Sequence, residues 1–592
     1  MEQNKPGQTE ELAAVLEDIA QKSRELVATF LARGGVPETA TGDSLHLTRA
    51  FLELTASLMR DPGSIIHRQF DLWQDYVRLW HHTALRLCGR EAAPVAVPER
   101  GDRRFKDPAW DDHLLFDVIK QSYLLTARYL LDLAQGGEGL DEKTRQKVAF
   151  YTRQFVDAFA PTNFVLSNPE VLRATVESRG ANLLRGLKNM LEDLERGKGR
   201  LAIRMTDTDA FAIGRNLATT PGKVVFQNEL MQLIQYAPAT ERVHERPLVI
   251  VPPWINKYYI LDLQPKNSFI RYAVERGFTV FVLSWVNPDE RLAHKTFDDY
   301  MREGPLAAFD AALRQTGARS LNAVGYCLGG TLLAATLAWM AAKRDRRVKS
   351  ATFLTTLVDF SDPGELGVFI DEEQLAALEE LMNRRGYLDG AEMATTFNLL
   401  RANDLIWSFV VNNYLLGRDP FPFDLLYWNS DSTRMPAAMH SFYLRAFYLE
   451  NRLVQPGGVE LLGVPIDLTR VRQPTYLVAT KEDHIAPWKT TYAATQLYRG
   501  PKTFVLAGSG HIAGIINPPA ADKYGYWLNP ELPPDPEAWF DRAQAHKGSW
   551  WPHWAAWLAE HGGRMVEARD PASGPLVPLE DAPGSYVRVR AH

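Results

Sequence analysis

Three side chains in the second half of the chain have the types and the order of a nucleophile, an acid and a base. Cys327 lies in the run GYCLGG, and Asp483 and His511 follow it in the runs KEDHIA and GSGHIA. A thiol nucleophile needs a base that takes its proton, and that base needs a third group that orients it. The sequence therefore predicts that Cys327, Asp483 and His511 form a catalytic triad.

The residues around Cys327 predict a strand, a tight turn and a helix. The apolar run 321–324 is typical of a buried strand, and the run 331–338 favours a helix. Small residues two places before and two places after a nucleophile relieve crowding at such a turn, and Gly325 and Gly329 occupy these places. This is the nucleophile-elbow pattern of α/β-hydrolases, with cysteine in place of serine. The alternative is a small buried cysteine with a packing role.

The acid and the base are expected at the carboxyl ends of two further strands. Asp483 follows the strand-like run 475–479, and His511 follows the run 503–506. Parallel strands place such ends at one edge of the sheet, and the order nucleophile, acid, histidine is the usual one after an elbow. Asp359 is an alternative acid. His484, the neighbour of the acid, is interpreted as a supporting residue that is also considered for substrate binding.

Two backbone N–H groups are predicted to form an oxyanion hole. The first belongs to Leu328, because the residue after the nucleophile usually supplies one donor. The second is expected from the loop that follows the strand-like run 247–251, and we favour Ile255 within it. The register of this loop is not readable from the sequence.

The chain is expected to contain two domains. Residues 1–206 carry helical patterns that predict a helical domain for stabilisation or partner binding, and residues 207–592 carry short apolar runs that predict an α/β domain with a parallel sheet. An aromatic, helical interval at about 360–451 is interpreted as a cap over the active site; the alternative is a helical excursion with its own small core. The helical patterns lie at 10–33, 45–88, 109–134, 141–159 and 168–196.

Composition excludes several classes of protein. The chain has 592 residues and only two cysteines, Cys88 and Cys327, which rules out a disulfide framework and a cysteine-based zinc site. A formal net charge of −6 gives no basic footprint for nucleic acid. Residues 1–6 lack the layout of a secretion signal, and no apolar run approaches the roughly 20 residues of a membrane span. We therefore expect a soluble, cytoplasmic protein.

A cysteine nucleophile indicates the class of substrate. Its acyl intermediate is a thioester, and exchange between a thiol and a thioester is nearly thermoneutral, so the expected acyl donor is an acyl-CoA. Transfer from a thioester to an alcohol is downhill and gives an oxygen ester. Water as the acceptor would make the protein a thioesterase, whereas the hydroxyl of another hydroxyacyl unit would make it a polyester synthase. A closed, dry site favours the second acceptor.

The chain resembles the class I polyhydroxyalkanoate synthases, which are single-subunit bacterial polyester polymerases. The resemblance covers nearly the whole length after the first forty residues, and its most specific segments lie at 102–110, 251–263, 325–330, 423–429, 482–488 and 508–514. The cysteine, aspartate and histidine of the family fall on Cys327, Asp483 and His511.

The resemblance implies polymerisation of (R)-3-hydroxyacyl-CoA, with short acyl chains such as 3-hydroxybutyryl preferred. CoA is released, and no metal or redox cofactor is expected. It also implies a homodimer at the surface of polyester granules, in contact with granule proteins. Arg401, in the predicted cap, is considered for binding the CoA phosphates, with a surface role as the alternative. A thiol-dependent thioesterase or polyester hydrolase and a non-enzymatic scaffold are the competing functions.

Overall fold

The computed structural model describes residues 21–22, 43–136 and 139–590. The helix predicted at 10–33 lies outside the described residues except for positions 21–22, which are helical. The chain divides into two compact units: one runs to Asp207 and includes Phe397–Pro422, and the other comprises Thr208–Thr396 and the residues from Phe423 on. The predicted domain boundary, between residues 206 and 207, lies next to this division.

The first unit is helical. The pattern at 45–88 forms two helices rather than one, because Asp61 caps the second helix by accepting a hydrogen bond from the Ser64 N–H at 3.3 Å, and Pro62 starts it. The pattern at 168–196 is likewise divided by Gly180, whose φ of 86° is left-handed. The described helices are Asp43–Arg60, Pro62–Leu87, Ala109–Asp112, Leu114–Gln135, Glu142–Ala158, Pro169–Glu177 and Ala181–Arg196.

Residues 397–422 group with this helical unit, although the sequence analysis assigned the whole of 360–451 to one cap. The segment contains the π-helical turns Asn403–Trp407 and Val410–Leu415. The side-chain amide of Asn182 donates to the Leu415 carbonyl at 2.8 Å, and the Tyr414 hydroxyl donates to Asp193 at 2.7 Å. Such contacts between residues far apart along the chain leave no periodic signal in a sequence.

The second unit is built on one large sheet. Its described strands are β1 Gly222–Gln227, β2 Met231–Tyr236, β3 Arg242–His244, β4 Leu248–Val251, β5 Val280–Trp285, β6 Leu321–Tyr326, β7 Val348–Leu354, β8 Tyr387–Leu388, β9 Met435–Pro436, β10 Glu460–Leu461, β11 Val464–Pro465, β12 Thr475–Thr480, β13 Lys502–Ala507, β14 Tyr526–Leu528, β15 Gln544–His546, β16 Met565–Glu567 and β17 Glu580–Asp581. Eleven of them join in the order β15-β14-β13-β12-β7-β6-β4-β5-β2-β1-β17.

The middle of this sheet is parallel and its edges are antiparallel. Strands β13, β12, β7, β6, β4 and β5 pair in parallel, and each is largely buried, as their continuous apolar runs predict. The antiparallel strands β1, β2, β14, β15 and β17 were not predicted. The carboxyl ends of the parallel strands meet at one edge, and the loops after β4, β6, β12 and β13 carry the predicted site residues.

Along the chain, helices alternate with many of these strands. The described helices are Phe269–Glu275, Phe297–Met301, Ala307–Thr316, Leu328–Ala342, Glu372–Arg385, Asp424–Asn429, Ala437–Tyr443, Trp488–Tyr492, Ala494–Leu497, Pro536–Asp541 and Trp551–Glu560, while Gly390–Leu400 crosses the division between the units. None of the helices in the described ranges combines the length and the apolar character that crossing a membrane requires.

Candidate active site

Cys327 lies at the tip of the predicted turn between β6 and the helix Leu328–Ala342. Its φ of 50° and ψ of −120° are strained for a residue with a side chain. The N–H of Cys327 donates to the Leu354 carbonyl at 2.8 Å, which ties the turn to the end of β7. Thr355, the next residue after β7, also has a positive φ, of 42°. The residues at the end of β7 therefore help to hold Cys327 in a backbone conformation that it would not adopt alone.

Glycines make the turn possible. A Cβ atom at Gly325 would lie 2.4 Å from the Cα of Gly330, and one at Gly329 would lie 2.0 Å from the Val251 carbonyl oxygen. Side chains at these places would push the helix away from the strand. Because Gly329 allows close approach, the first turn of the helix Leu328–Ala342 lies against the end of β4 and the loop that follows it.

The predicted base and acid form a direct pair. The Nδ1–H of His511 donates to Oδ2 of Asp483 at 2.7 Å, and both side chains are buried. The Cys327 side chain lies close enough to the His511 imidazole to help raise the pKa of that ring. The carboxylate thus fixes the imidazole so that its other nitrogen serves the thiol, which is the geometry of a catalytic triad.

Asp483 is held as a carboxylate by its own loop. Its Oδ1 accepts hydrogen bonds from the N–H groups of Ile485 and Ala486 at 2.9 and 2.8 Å, and the Thr480 hydroxyl donates to its Oδ2 at 3.1 Å. Burial acts to raise the pKa of Asp483, but the charge of His511 and these donors outweigh burial and hold the pKa below its ordinary value. The acid therefore remains ionised while it orients the base.

The same interactions raise the proton affinity of the base. Burial acts to lower the pKa of His511, but the charge interactions with Asp483 and Cys327 and the hydrogen bonds to both raise this pKa to about 10. The imidazole consequently keeps its proton at neutral pH. Such a group can return a proton to a leaving thiolate.

The two predicted oxyanion donors lie on the elements that the glycine contact brings together. Leu328 is the first residue of its helix, and Ile255 lies in the loop after β4. Within the described chain, no hydrogen bond uses the N–H of either residue. The start of a helix also favours negative charge, since its first N–H groups are unpaired. This corner can therefore stabilise an oxyanion.

Aromatic side chains enclose the site. The ring of Tyr326 stacks on that of His511, with centroids 5.9 Å apart and planes inclined by 23°. The rings of Tyr443 and Tyr448 lie with their centroids 5.4 Å apart, and burial, together with the charge of Cys327, raises the pKa of both. They sit five residues apart at the π-helical turn Leu444–Leu449, which places them on one face. Sequence reasoning missed Tyr448, because π-helical turns have no established sequence pattern.

The remaining predicted residues lie outside the group formed by Cys327, His511 and Asp483. Asp359, the alternative acid, accepts hydrogen bonds from the Ser361 N–H at 2.9 Å and the Asn451 amide at 2.8 Å, whereas the carboxylate beside His511 is Asp483. His484 is partly buried in the loop after β12. Arg401 belongs to the helical unit, where its half-exposed side chain pairs with Asp404 at 2.8 Å.

Two family models match the chain. Residues 101–273 match the N-terminus of poly-beta-hydroxybutyrate polymerase (PhaC), and residues 246–518 match the alpha/beta hydrolase fold. The second match includes the parallel strands and the three triad positions. It confirms the α/β-hydrolase fold predicted for this half of the chain.

Curated relatives are similar over most of the length. The poly(3-hydroxyalkanoate) polymerase subunit PhaC of Rhizobium meliloti (strain 1021) is 52% identical, with 90% of this chain and 87% of that protein covered. The poly(3-hydroxyalkanoate) polymerase of Methylorubrum extorquens is 51% identical, with coverages of 92% and 90%. The subunit PhaC of Cupriavidus necator is 44% identical, with 91% of each protein covered.

Proposed function

The chain belongs to the poly(3-hydroxyalkanoate) polymerase family and is an acyltransferase that polymerises hydroxyacyl-CoA into polyester, and from this premise we propose that the growing polyester is carried as a thioester on Cys327. The observation that carries the proposal is the strained elbow with its cysteine beside the His511–Asp483 pair. A serine-type hydrolase fold with a thiol at the elbow is suited to exchange between thioesters.

Acylation begins from the Cys327 thiolate, whose proton is held by His511 because the pKa of this imidazole is raised to about 10. The sulfur then attacks the carbonyl carbon of the hydroxyacyl-CoA, and the carbonyl oxygen becomes an oxyanion that accepts hydrogen bonds from the N–H groups of Leu328 and Ile255. As the tetrahedral intermediate collapses, the bond to the CoA sulfur breaks and His511 returns its proton to that sulfur. The products are free CoA and an acyl thioester on Cys327.

Chain growth transfers this acyl group to a hydroxyl. His511 accepts the proton of the 3-hydroxyl group of another hydroxyacyl unit, whose oxygen attacks the Cys327 thioester. An ester C–O bond forms, the C–S bond breaks, and the proton passes to the sulfur. Every step is a proton or acyl transfer, so we propose that no metal or redox cofactor takes part. Burial of Asp483, His511 and Tyr443 beside Cys327 supports restricted access of water, which would otherwise divert the thioester to hydrolysis.

We also propose a setting for this reaction. The insoluble product stays attached to the enzyme during growth, which supports a place at the surface of polyester granules in the cytoplasm, with granule proteins as neighbours. We further propose that the protein forms a homodimer, prefers (R)-3-hydroxybutyryl-CoA as its substrate and belongs to class I of the family. Arg401 and His484 are proposed to contact the substrate, Arg401 through the CoA phosphates.

The test is incubation of the full chain with (R)-3-hydroxybutyryl-CoA and with longer homologues, while thiol release and turbidity are followed together. We expect thiol release and insoluble polymer to rise in parallel, fastest with the four-carbon substrate. Thiol release without polymer would instead identify a thioesterase and would overturn the proposed thioester-to-ester transfer. Faster polymerisation of longer homologues would overturn the preference for short chains.

A further inference from the structure

The loop of residues 252–257, here called the oxyanion loop, must point one particular N–H group at the reacting carbonyl. The peptide that carries the Ile255 N–H also carries the Trp254 carbonyl. In a trans peptide these two groups lie in one plane and point in opposite directions. A contact that fixes the Trp254 carbonyl therefore fixes the direction of the Ile255 N–H as well.

Thr433 makes that contact. Its hydroxyl lies within hydrogen-bonding distance of the Trp254 carbonyl oxygen and, at 2.7 Å, of the Ile255 carbonyl oxygen. The N–H of Thr433 donates to the Ile255 carbonyl at 3.0 Å, and Thr433 is 2% exposed. The single hydroxyl proton is shared between these two carbonyl oxygens, and the backbone N–H of Thr433 is a second donor to the Ile255 carbonyl, so this one residue anchors the peptides on both sides of Ile255.

Neighbouring residues fasten the rest of the oxyanion loop to the same segment. Asn256 and Ser432 form an antiparallel bridge, and Nζ of Lys257 lies 2.7 Å from Oδ1 of Asp431. Both charged side chains are at most 3% exposed, and Asp431 also accepts a hydrogen bond from the Tyr259 hydroxyl at 2.9 Å. Separation of such a buried ion pair is strongly destabilising, so the oxyanion loop and the segment 431–433 stay in register.

From these contacts we propose that Thr433 is a positioning residue for acyl transfer, which holds the Ile255 N–H toward the oxyanion formed on the Cys327 acyl group. The proposal rests on the proposed function, because it assigns the oxyanion to a Cys327 intermediate. An oxyanion donor works only within a narrow range of distance and direction, and a misplacement of about 1 Å is enough to cost about a hundredfold in rate.

Two substitutions separate positioning from packing. Thr433→Val keeps the shape of the side chain and removes its donor, whereas Thr433→Ser keeps the donor. With (R)-3-hydroxybutyryl-CoA, we expect kcat of Thr433→Val to fall by about 10- to 100-fold with little change in KM, because the lost contact acts in the transition state. Thr433→Ser is expected to restore kcat to within about threefold of the parent chain.

Alkylation of Cys327 by iodoacetamide supplies the second readout. In this reaction the sulfur displaces iodide at a saturated carbon, so no oxyanion forms and the oxyanion loop is not needed. The rate is followed by mass spectrometry on the peptide that contains Cys327, and melting temperatures are recorded for each variant. We expect both variants to be alkylated at the rate of the parent chain.

Three results would overturn the proposal, and they are distinguishable. Equal kcat values for Thr433→Val and Thr433→Ser would show that the hydroxyl positions nothing. Parallel loss of turnover, alkylation and thermal stability in Thr433→Val would assign Thr433 a purely structural role. A parent chain that still releases CoA after complete alkylation of Cys327 would refute the proposed function itself, and the oxyanion assignment with it.

Discussion

Cys327 and Cys88 are both cysteines, but they lie in different environments. Cys88 is exposed after the helix Pro62–Leu87, whereas Cys327 lies at a strained turn beside an imidazole. We expect Cys327→Ala to lower CoA release from (R)-3-hydroxybutyryl-CoA by at least about a thousandfold, because removal of a nucleophile disables the whole triad. Cys88→Ala is the matched control and should stay within about twofold of the parent chain, as surface substitutions usually do. Residual CoA release by Cys327→Ala near the parent rate would contradict the assignment.

The His511–Asp483 pair predicts a particular pH dependence. His511 must hold a proton to protonate the departing CoA sulfur, so with a pKa of about 10 activity is retained at lower pH and falls as the pH rises through that value. Asp483→Asn removes the charge that raises this pKa. The alkaline limb of kcat/KM should therefore move to lower pH, and kcat should drop by about a thousandfold or more.

The pH–rate profile is measured for both chains under saturating and limiting substrate. A profile whose alkaline limb is unchanged in Asp483→Asn would show that the carboxylate does not govern the proton on His511. A normal kcat in that variant would favour a different acid, such as the alternative Asp359.

The residues of the triad were predictable because each follows a strand in a fixed chain order, and the structure brings these three together. Thr433 was not predictable. It contacts the backbone of the oxyanion loop, which lies far away along the chain, and no periodicity or motif records a contact between a side chain and a backbone carbonyl. For Arg401 the sequence pattern pointed to a different place. The aromatic interval around it indicated a cap, whereas the structure groups Arg401 with the helical unit.

At the scale of the secondary-structure elements, the contact between the helix Leu328–Ala342 and the end of β4 positions the residues of the site. A methyl group at Gly329 would lie 2.0 Å from the Val251 carbonyl oxygen, so the helix would have to move. Gly329→Ala is expected to lower the free energy of unfolding by about 1–3 kcal/mol and to reduce kcat. In Gly510→Ala the added atom meets only the Glu482 carbonyl oxygen, at 3.6 Å, and stability should change by less than about 1 kcal/mol.

Denaturant unfolding and turnover measure the two effects on the same samples. A Gly329→Ala chain with unchanged stability and kcat would show that the close approach of helix and strand is not required. That outcome would also remove the reason for placing the Leu328 and Ile255 N–H groups at one corner.

The elements themselves were predictable to different degrees. The parallel strands were found because strands buried on both faces are continuous apolar runs, as in β12 and β13. Strands at or next to the edges of the sheet, such as β17 and β14, are short and partly exposed, so they leave no such run. The break in the predicted helix at 45–88 had a signal, because an aspartate followed by proline is a common helix start.

At the scale of the whole molecule, the helical unit includes residues 397–422, which are distant in sequence from its other residues. A Cβ atom at Gly186 would lie 1.7 Å from the Tyr414 carbonyl oxygen, so Gly186→Ala should loosen the turn Val410–Leu415. We expect its amides to exchange hydrogen at least about tenfold faster, since overpacking costs about 1–3 kcal/mol. Leu187→Ala, one residue along and 38% exposed, is the control. Equal exchange in both variants would contradict this packing.

The thioester on Cys327 is the central claim, and mass spectrometry of the acylated protein tests it most directly. The full chain is mixed with (R)-3-hydroxybutyryl-CoA, quenched in acid within the first turnovers and digested. The peptide containing Cys327 should carry one or more hydroxybutyryl units that hydroxylamine removes, and the peptide containing Cys88 should carry none. An unmodified Cys327 peptide in a sample that has released CoA and formed polymer would contradict the account.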